Sequence, residues 1–406
     1  MKMNDIETLN KSNCCACGAC LNICPKNAIY MANDIHGFVY PKIRQEICVD
    51  CGLCVKACNY NSTEKKKSLK ETYAAATADT NPLKSASGGL FASLAKHFLL
   101  DGGIVYGCAM IRESEHLIPK HIRVTDESDL VLLQGSKYVQ SEIGLIYQTV
   151  KSDLKDGKTV LFSGTPCQVD GLKGYLGKEY NKLYTIDIIC HGVPNVKMFN
   201  DYIRFEERKR KGKIIDYRFR DKSDGWRLHG KMVLQHENIT TEDILFEPEQ
   251  SSFYQLFLNS YTYRENCYSC PYACDNRPGD ITIGDYWCID LVHPEMLVQN
   301  GGPFDEQKGI SCLIINCLRG RELFDLYGSG IERKESSFNN VSKYNGQLTR
   351  PSELKPEREY VLSKYLKGYD EVERWYKRRL IPIKMKRKIR AAIPKVIKRA
   401  FRKIIM

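Results

Sequence analysis

Residues 14–25 read CCACGACLNICP, and residues 48–58 read CVDCGLCVKAC. Both contain the spacing C-x2-C-x2-C-x3-C, through Cys14, Cys17, Cys20 and Cys24 and again, 34 residues on, through Cys48, Cys51, Cys54 and Cys58. Two intervening residues let successive thiolates wrap one 4Fe-4S cluster, while the fourth cysteine of each run reaches the other cluster. The spacing therefore assigns Cys14, Cys17, Cys20 and Cys58 to one cluster and Cys48, Cys51, Cys54 and Cys24 to a second. Gly18 and Gly52 fall between the second and third ligands, where the backbone must approach inorganic sulfide closely. Cys15 stands outside the pattern and reads as a bystander. Asn59 replaces the proline that follows the first run, a turn-shaping position that binds no iron. A pair of zinc sites fits less well, because structural zinc takes four ligands as two pairs. Residues 1–62 are thus expected to form an α+β ferredoxin-like two-cluster module that moves single electrons.

The remaining composition is that of a soluble globular protein. A chain of 406 residues exceeds one simple core, and 43 % hydrophobic with 27 % charged residues is ordinary. No apolar run approaches the ~18 residues of a membrane span. The first residues, MKMNDIETLN, show no secretory pattern. A cytoplasmic location is expected, where clustered cysteines are more often metal ligands than disulfides. Nine of the 18 cysteines lie between Cys14 and Cys58.

Charge is concentrated at one end. From Arg374 to Met406 there are 14 Lys or Arg and no acidic residue; removing them from the formal +12 leaves −2 for residues 1–373. Residues 356–406 are expected to form a helical basic tail, broken at Pro382 and Pro394. Its alternation of cationic and apolar residues suits an anionic membrane surface, the inner membrane face, against the plain alternative of a solvated tail. Nucleic acid is disfavoured, because the aromatic interleaving of single-strand binders is nearly absent.

Between these ends, Asn59–Thr72 is polar and reads as a linker. Residues 73–355 alternate strand-like runs (GIVYG at 103–107, TVLFS at 159–163, LYTIDII at 183–189, DITIG at 280–284) with amphipathic helical runs. That alternation predicts an α/β domain with an at least partly parallel sheet. Cys167 follows one run and Cys190 another, so parallel neighbouring strands would bring both to one carboxyl edge. With Cys267 and Cys270, a C-x2-C pair, they suggest a third cluster. Ser85–Gly89 (SASGG), ahead of the helical run LFASLAKHFLL, suits a phosphate cradle or an ordinary turn before a helix. His191, beside Cys190, is a catalytic candidate for proton transfer, with a hydrogen-bonded turn histidine as the competing reading. His36 is expected in a ferredoxin hairpin. Trp226 and Trp287 either flank a ring or belong to the core.

In order, SASGG, GSKYVQS (135–141), SGTPCQV (163–169), CHGVP (190–194), CYSCPYACDNRPGDITIGDYW (267–287) and KYNGQLTRPSELKPER (343–358) resemble the coenzyme F-420 hydrogenase/dehydrogenase beta-subunit family. A ferredoxin module in front is a common arrangement there, and the resemblance covers roughly residues 10–360. It implies a flavin-binding domain, usually with FAD, that holds a 4Fe-4S cluster as well. Carried over, Ser87, Gly88 and Gly89 contact the flavin with Lys137 and Tyr138 nearby, while Cys167, Cys190, Cys267 and Cys270 hold the third cluster. Cys274 and Cys288 are additional cysteines that leave the fourth ligand open. No signature for binding coenzyme F-420 itself is recognised.

The expected function is an iron–sulfur flavoprotein oxidoreductase, passing electrons between a two-electron small-molecule substrate and a one-electron carrier. A redox partner is implied, such as ferredoxin or another oxidoreductase subunit. The alternatives are a non-catalytic electron-transfer subunit serving a separate catalytic partner, or an accessory protein of surface polysaccharide biosynthesis with mainly structural clusters.

Overall fold

A computed structural model describes residues 6, 11–61, 69–77 and 85–379. The N-terminal module is small and turn-rich. Helix α1 (Ala19–Ile23) starts at Gly18, whose φ of +81° lies in the left-handed region. After it, β1 (Ile29–Asn33) and β2 (Val39–Ile43) form an antiparallel hairpin in register from Ile29↔Ile43 to Asn33↔Val39. The Asp34 carboxylate accepts the amides of His36 and Phe38 and closes the turn, which places His36 at the hairpin tip. Helix α2 (Leu53–Lys56) starts at Gly52, φ +69°. Both cysteine runs thus turn into a short helix through a left-handed glycine.

The chain then builds a mixed sheet. In order come β3 (Glu71–Thr77), α3 (Leu90–Leu100), β4 (Ile104–Glu113), β5 (His116–Val124), α4 (Leu130–Leu133), α5 (Ile146–Lys155), β6 (Val160–Gly164), α6 (Pro166–Leu176) and β7 (Leu183–Ile188). Next are α7 (Val196–Arg210), β8 (Lys213–Arg218), β9 (Gly230–Gln235), β10 (Thr241–Phe246) and α8 (Ser252–Leu258). The last are β11 (Ile281–Asp285), α9 (Ile289–Val292), β12 (Ser311–Ile315), α10 (Leu318–Tyr327), β13 (Ile331–Ser336), α11 (Phe338–Tyr344) and α12 (Glu357–Tyr365).

The eight-stranded sheet runs β13-β3-β12-β11-β7-β6-β4-β5. Its centre, β11-β7-β6-β4, is parallel, and antiparallel pairs flank it on both sides. Two successive antiparallel pairings, β11 with β12 and β12 with β3, return β3 to the direction of the parallel strands. The ends of β3, β4, β6, β7 and β11 therefore share one carboxyl edge.

Burial on both faces explains the near-continuous apolar strands. Val105, Leu161, Tyr184 and Ile186 point to a core completed by α3 and α10, while Ile104, Tyr106, Val160, Phe162 and Leu183 point to one completed by α5 and α6. The period of two is visible residue by residue. A second, antiparallel sheet, β10-β9-β8, packs with α7, α8 and α12 around an aromatic core. Ala19 of α1 joins the α5–α6 core and Phe38 joins the aromatic one, so the N-terminal module is seated on the sheet domain at two points.

Two expected boundaries shift. Asn59–Asn61 is a 3-10 turn with Tyr60 buried rather than linker, and β3 already begins at Glu71. Residues 357–376 are core rather than tail. Val361, Leu362, Tyr365, Tyr369 and Val372, at helical spacing, are buried in the aromatic core. The strongly basic segment 380–406, on which the membrane-surface expectation falls, lies outside the described residues. Among the described residues, no helix is long and apolar enough to cross a membrane.

Candidate functional site

The site is built from two groups of thiols and a neighbouring cleft. Cys14 and Cys17 lie on the loop into α1, Cys20 is in its first turn, and Cys58 follows α2. Together with Cys15 and Tyr60 they line a small cavity of about 20 Å3, open in part to solvent. Burial, then the charges of Cys17, Cys14 and Cys58, raise the Cys20 thiol well above its ordinary pKa. Burial and the Cys17 charge push Cys58 up to about 11. Cys24, by contrast, accepts the Ala28 amide at 3.3 Å and is not among the residues lining this cavity. In the second run, Cys51 is exposed and Cys48 donates to Asp50 at 3.9 Å.

The second group comes from three places. Because β6 and β7 are parallel neighbours, Cys167 in the first turn of α6 and Cys190 just after β7 emerge at the same edge. Thr165 caps α6 in a capping box with Gln168, and its hydroxyl lies 3.2 Å from the Cys167 sulfur. Cys267 sits in the 3-10 segment Glu265–Ser269, and Cys270 ends it. Burial, followed by the charges of Cys267, Cys167 and Cys270, drives the Cys190 thiol pKa up. Burial and the neighbouring thiols likewise push Cys267 up to about 12 and Cys270 up to about 11. Cys274 donates to the carbonyls of Pro271 and Asn276, and Cys288 sits at the start of α9 with φ +57°.

The thiol groups suit the chemistry of an iron–sulfur cluster. A metal cluster takes thiolates, and its positive ions offset the burial that otherwise disfavours them. Among the described residues, no three Cys, His, Asp or Glu side chains converge tightly enough for a single metal ion. A cubane needs its ligands spread more widely than a mononuclear tetrahedral site, whose sulfurs stand roughly 3.8 Å apart.

The groups meet through Cys15, which is buried rather than idle. Its thiol lies beside both Cys167 and Cys17, and this proximity raises its own pKa and lowers theirs. Helix α6 makes this contact possible. Cys167, Gly171 and Gly174 recur at i, i+4 and i+7 and so share one face. A Cβ on Gly171 would come within 2.7 Å of the Cys17 sulfur, and one on Gly174 within 2.4 Å of the Ala57 carbonyl oxygen. Only hydrogen fits between this helix and the N-terminal module.

The cleft lies farther along the same edge. Asp285 ends β11 and pairs with the fully buried Arg220 guanidinium at 2.8 Å. The Trp226 indole donates to Asp285 at 3.1 Å, and Trp226 stacks on Trp287 at 5.2 Å with planes 3° apart. Arg220 also lies over Trp287 and donates to the Tyr138 hydroxyl at 3.4 Å. His191 is solvent-accessible, yet the protein crowded around it holds its imidazole below the usual pKa, with Asp285 opposing.

SASGG borders this cleft. A Cβ on Gly88 would meet the Ala75 carbonyl at 2.7 Å and the Ser311 amide at 2.9 Å. Gly89, φ +81°, opens α3. The Gly88 amide is already taken by the Ser311 hydroxyl at 3.0 Å, which removes one of the donors a phosphate cradle would use. Lys222, buried, donates to the carbonyls of Ser87 and Lys308, both at 2.6 Å. Burial and Arg220 hold its amine down to about 8. Lys137 is half-buried, donates to the carbonyls of Leu132 and Gln134, and is likewise brought down to about 8 by burial. Tyr138 has one face stacked on Phe257 at 4.4 Å. Residues 219–227 therefore connect Tyr138 to Ser87, through Arg220, Asp285 and Lys222. No motif in the sequence marks Arg220 or Lys222, and Asp285 lies within the 267–287 segment without being singled out there; only the closed fold brings the three together.

Comparison with known proteins places these residues. Residues 157–336 match the family model for the C terminus of the coenzyme F420 hydrogenase/dehydrogenase beta subunit, and residues 13–62 match a 4Fe-4S dicluster domain. An uncharacterised protein of Methanocaldococcus jannaschii is 27 % identical over 209 residues, 44 % of this chain and 56 % of that protein. The coenzyme F420-dependent sulfite reductase of the same organism is 26 % identical over 200 residues, 48 % of this chain and 30 % of that one. Ketoisovalerate oxidoreductase subunit VorC of Methanothermobacter marburgensis is 38 % identical over 52 residues, 12 % of this chain and 66 % of that subunit. The chain thus spans less than two thirds of these relatives. Among solved structures, a chain of the F420-reducing [NiFe] hydrogenase complex from Methanosarcina barkeri aligns with a TM-score of 0.44 and 15 % identity, over 75 % of this chain and 95 % of that one.

Proposed function

Because the chain belongs to the coenzyme F420 hydrogenase/dehydrogenase beta-subunit family and carries a 4Fe-4S dicluster domain ahead of it, we propose that it is an oxidoreductase joining two-electron chemistry in the cleft to one-electron carriers. The observation that carries this reading is the contact between the two thiol groups through Cys15, at the edge where Cys190 adjoins the cleft residue His191. Cys14, Cys17, Cys20 and Cys58 would hold one cluster, Cys48, Cys51, Cys54 and Cys24 a second, and Cys167, Cys190, Cys267 and Cys270 a third.

A flavin, FAD or the deazaflavin of the family name, supplies hydride exchange when bound, and 4Fe-4S clusters supply single-electron exchange. Trp226 and Trp287 offer a flat apolar wall for such a ring, and the Arg220–Asp285 pair fixes that wall by hydrogen bond and cation–π contact. His191, its imidazole pKa lowered by the protein crowded around it, is placed to accept a proton at an imidazole nitrogen. Lys222 ties the SASGG turn to the 219–227 loop.

Anaerobic purification with iron, sulfide and flavin quantified tests the reading. About twelve irons and one flavin or deazaflavin per chain are expected; fewer than about eight irons, or no ring cofactor, overturns it. One of the relatives is named as a subunit, which supports a second reading, an electron-transfer subunit serving a separate catalytic partner. Substrate turnover by the isolated chain separates the two. We also propose a peripheral association of residues 380–406 with anionic membrane: chains ending at 379 and at 406 should differ in liposome flotation, and equal flotation removes the idea.

A further inference from the structure

Arg264 is the bulkiest fully buried side chain among the described residues, with no exposed surface. Nη1 donates to the Val39 carbonyl at 2.9 Å and the Gln140 amide oxygen at 3.0 Å, Nη2 to the Cys14 carbonyl at 3.0 Å, and Nε to Asn266 Oδ1 at 3.3 Å. The guanidinium also lies 4.5 Å from the Tyr40 ring centroid. Every one of these partners is neutral. Among the described residues, no Asp or Glu forms an ion pair with Arg264.

A guanidinium cannot shed its charge, and an isolated buried charge is costly unless something anionic answers it. Hydrogen bonds to neutral acceptors and a cation–π contact offset only part of that cost. The missing anion is indicated by position. Arg264 binds the backbone of Cys14 directly and lies three residues before Cys267. The Cys267 amide donates to the Arg264 carbonyl at 3.1 Å, so Arg264 is tied to one cysteine of each thiol group.

We propose that Arg264 is the shared counter-charge of two 4Fe-4S clusters, one on Cys14, Cys17, Cys20 and Cys58 and one on Cys167, Cys190, Cys267 and Cys270. The proposal rests on the cluster assignment above. A thiolate-ligated cluster is anionic and gains another negative charge on reduction. A fixed cation in a dry site stabilises the reduced form and raises the potential. A single cation serving both clusters moves both potentials in the same direction, so it eases reduction of each without changing the step between them much. Arg264 is thus a tuning residue that exchanges neither electrons nor protons.

EPR-monitored redox titration of the full, anaerobically purified chain, with iron analysis, tests this. Arg264→Gln removes the charge. Gln140→Glu instead neutralises it in place, because the Gln140 oxygen already accepts from the guanidinium. Each should shift the reduction equilibrium of both flanking clusters at least tenfold toward the oxidised form, 59 mV for a one-electron couple. Arg264→Lys should recover most of the shift, and the cluster on Cys24, Cys48, Cys51 and Cys54 should not move. Full iron content with potentials inside that tenfold window overturns the proposal. Iron loss from both Arg264→Gln and Gln140→Glu also overturns it, since Arg264 would then be purely structural. Fewer than about eight irons in the unaltered chain refutes the cluster assignment itself.

Discussion

The buried Cys15 thiol lies beside the Cys167 thiol across the join between the N-terminal module and the sheet domain. By spacing, Cys15 has no place in the ligand pattern; by position, it stands between both groups. A spacer leaves the ligands in place when removed, whereas a ligand takes its cluster with it. Cys15→Ala should keep about twelve irons per chain and cost about 1–2 kcal/mol in urea unfolding, while slowing electron exchange between the clusters. Loss of about four irons would instead make Cys15 a ligand.

Gly174 tests whether close docking of the module matters. Its missing side chain admits the Ala57 carbonyl, and a Cβ there would stand 2.4 Å from that oxygen. The carbonyl belongs to the backbone and has little freedom to yield. Gly174→Ala should destabilise the chain by about 1–3 kcal/mol through overpacking and lower the rate at which dithionite-fed electrons reach the cleft. An unchanged rate would show that the module transfers electrons without this contact.

The cleft depends on a buried ion pair. The Arg220 side chain has no exposed surface, and Asp285 is its carboxylate partner. Asp285→Asn leaves the guanidinium uncompensated, which costs about 3–5 kcal/mol in comparable buried pairs. The same change weakens the Trp226 hydrogen bond that holds the indole stack. Unfolding midpoints and flavin content should both fall; a cost under about 1 kcal/mol would mean that water reaches Arg220.

Stability should also fall on mild acidification. His121 is buried, stacked on Phe162 and hydrogen-bonded to Ser163 and Ser141. Burial holds its imidazole pKa down to about 4. The unfolded chain takes up this proton below about 6.5, so it binds more protons than the folded chain between roughly pH 6.5 and 4. The stability that neutral His121 provides is whole above pH 6.5 and is lost as the pH falls toward 4. From pH 6.5 to 5.0 the loss should be about 2 kcal/mol. In His121→Gln the urea midpoint should depend less on pH over that range; an unaltered slope assigns the effect to other groups.

The strands were legible because β4, β6, β7 and β11 are buried on both faces and therefore appear as short apolar runs. The two cysteine runs were legible because cluster ligation fixes local spacing. Contacts between segments far apart in the chain leave no local trace. Arg264 meets Cys14 across 250 positions, and Arg220 meets Asp285 across 65. Each is an unremarked arginine until the fold closes. The 357–376 helices are a different case. Val361, Leu362, Tyr365, Tyr369 and Val372 have the spacing of a buried face, but a dense surround of Lys, Arg and Glu made the segment resemble the basic tail that follows.

The order of electron flow follows from which thiol group adjoins the cleft. Cys190 neighbours His191, whereas Cys14, Cys17, Cys20 and Cys58 line a partly solvent-open cavity on the module side. If the module exchanges electrons with an outside carrier and the Cys190 group exchanges them with the cleft, the two steps fail separately. Cys14→Ser should abolish reduction of the chain by an external one-electron donor while leaving hydride-dependent bleaching of the ring cofactor intact. Cys267→Ser should leave the module reducible from outside but cut its communication with the cleft. Stopped-flow absorbance, with dithionite-reduced ferredoxin on one side and a hydride donor on the other, reads both steps. Full transfer in both variants breaks this wiring, because an electron that bypasses either group does not use the path through Cys15.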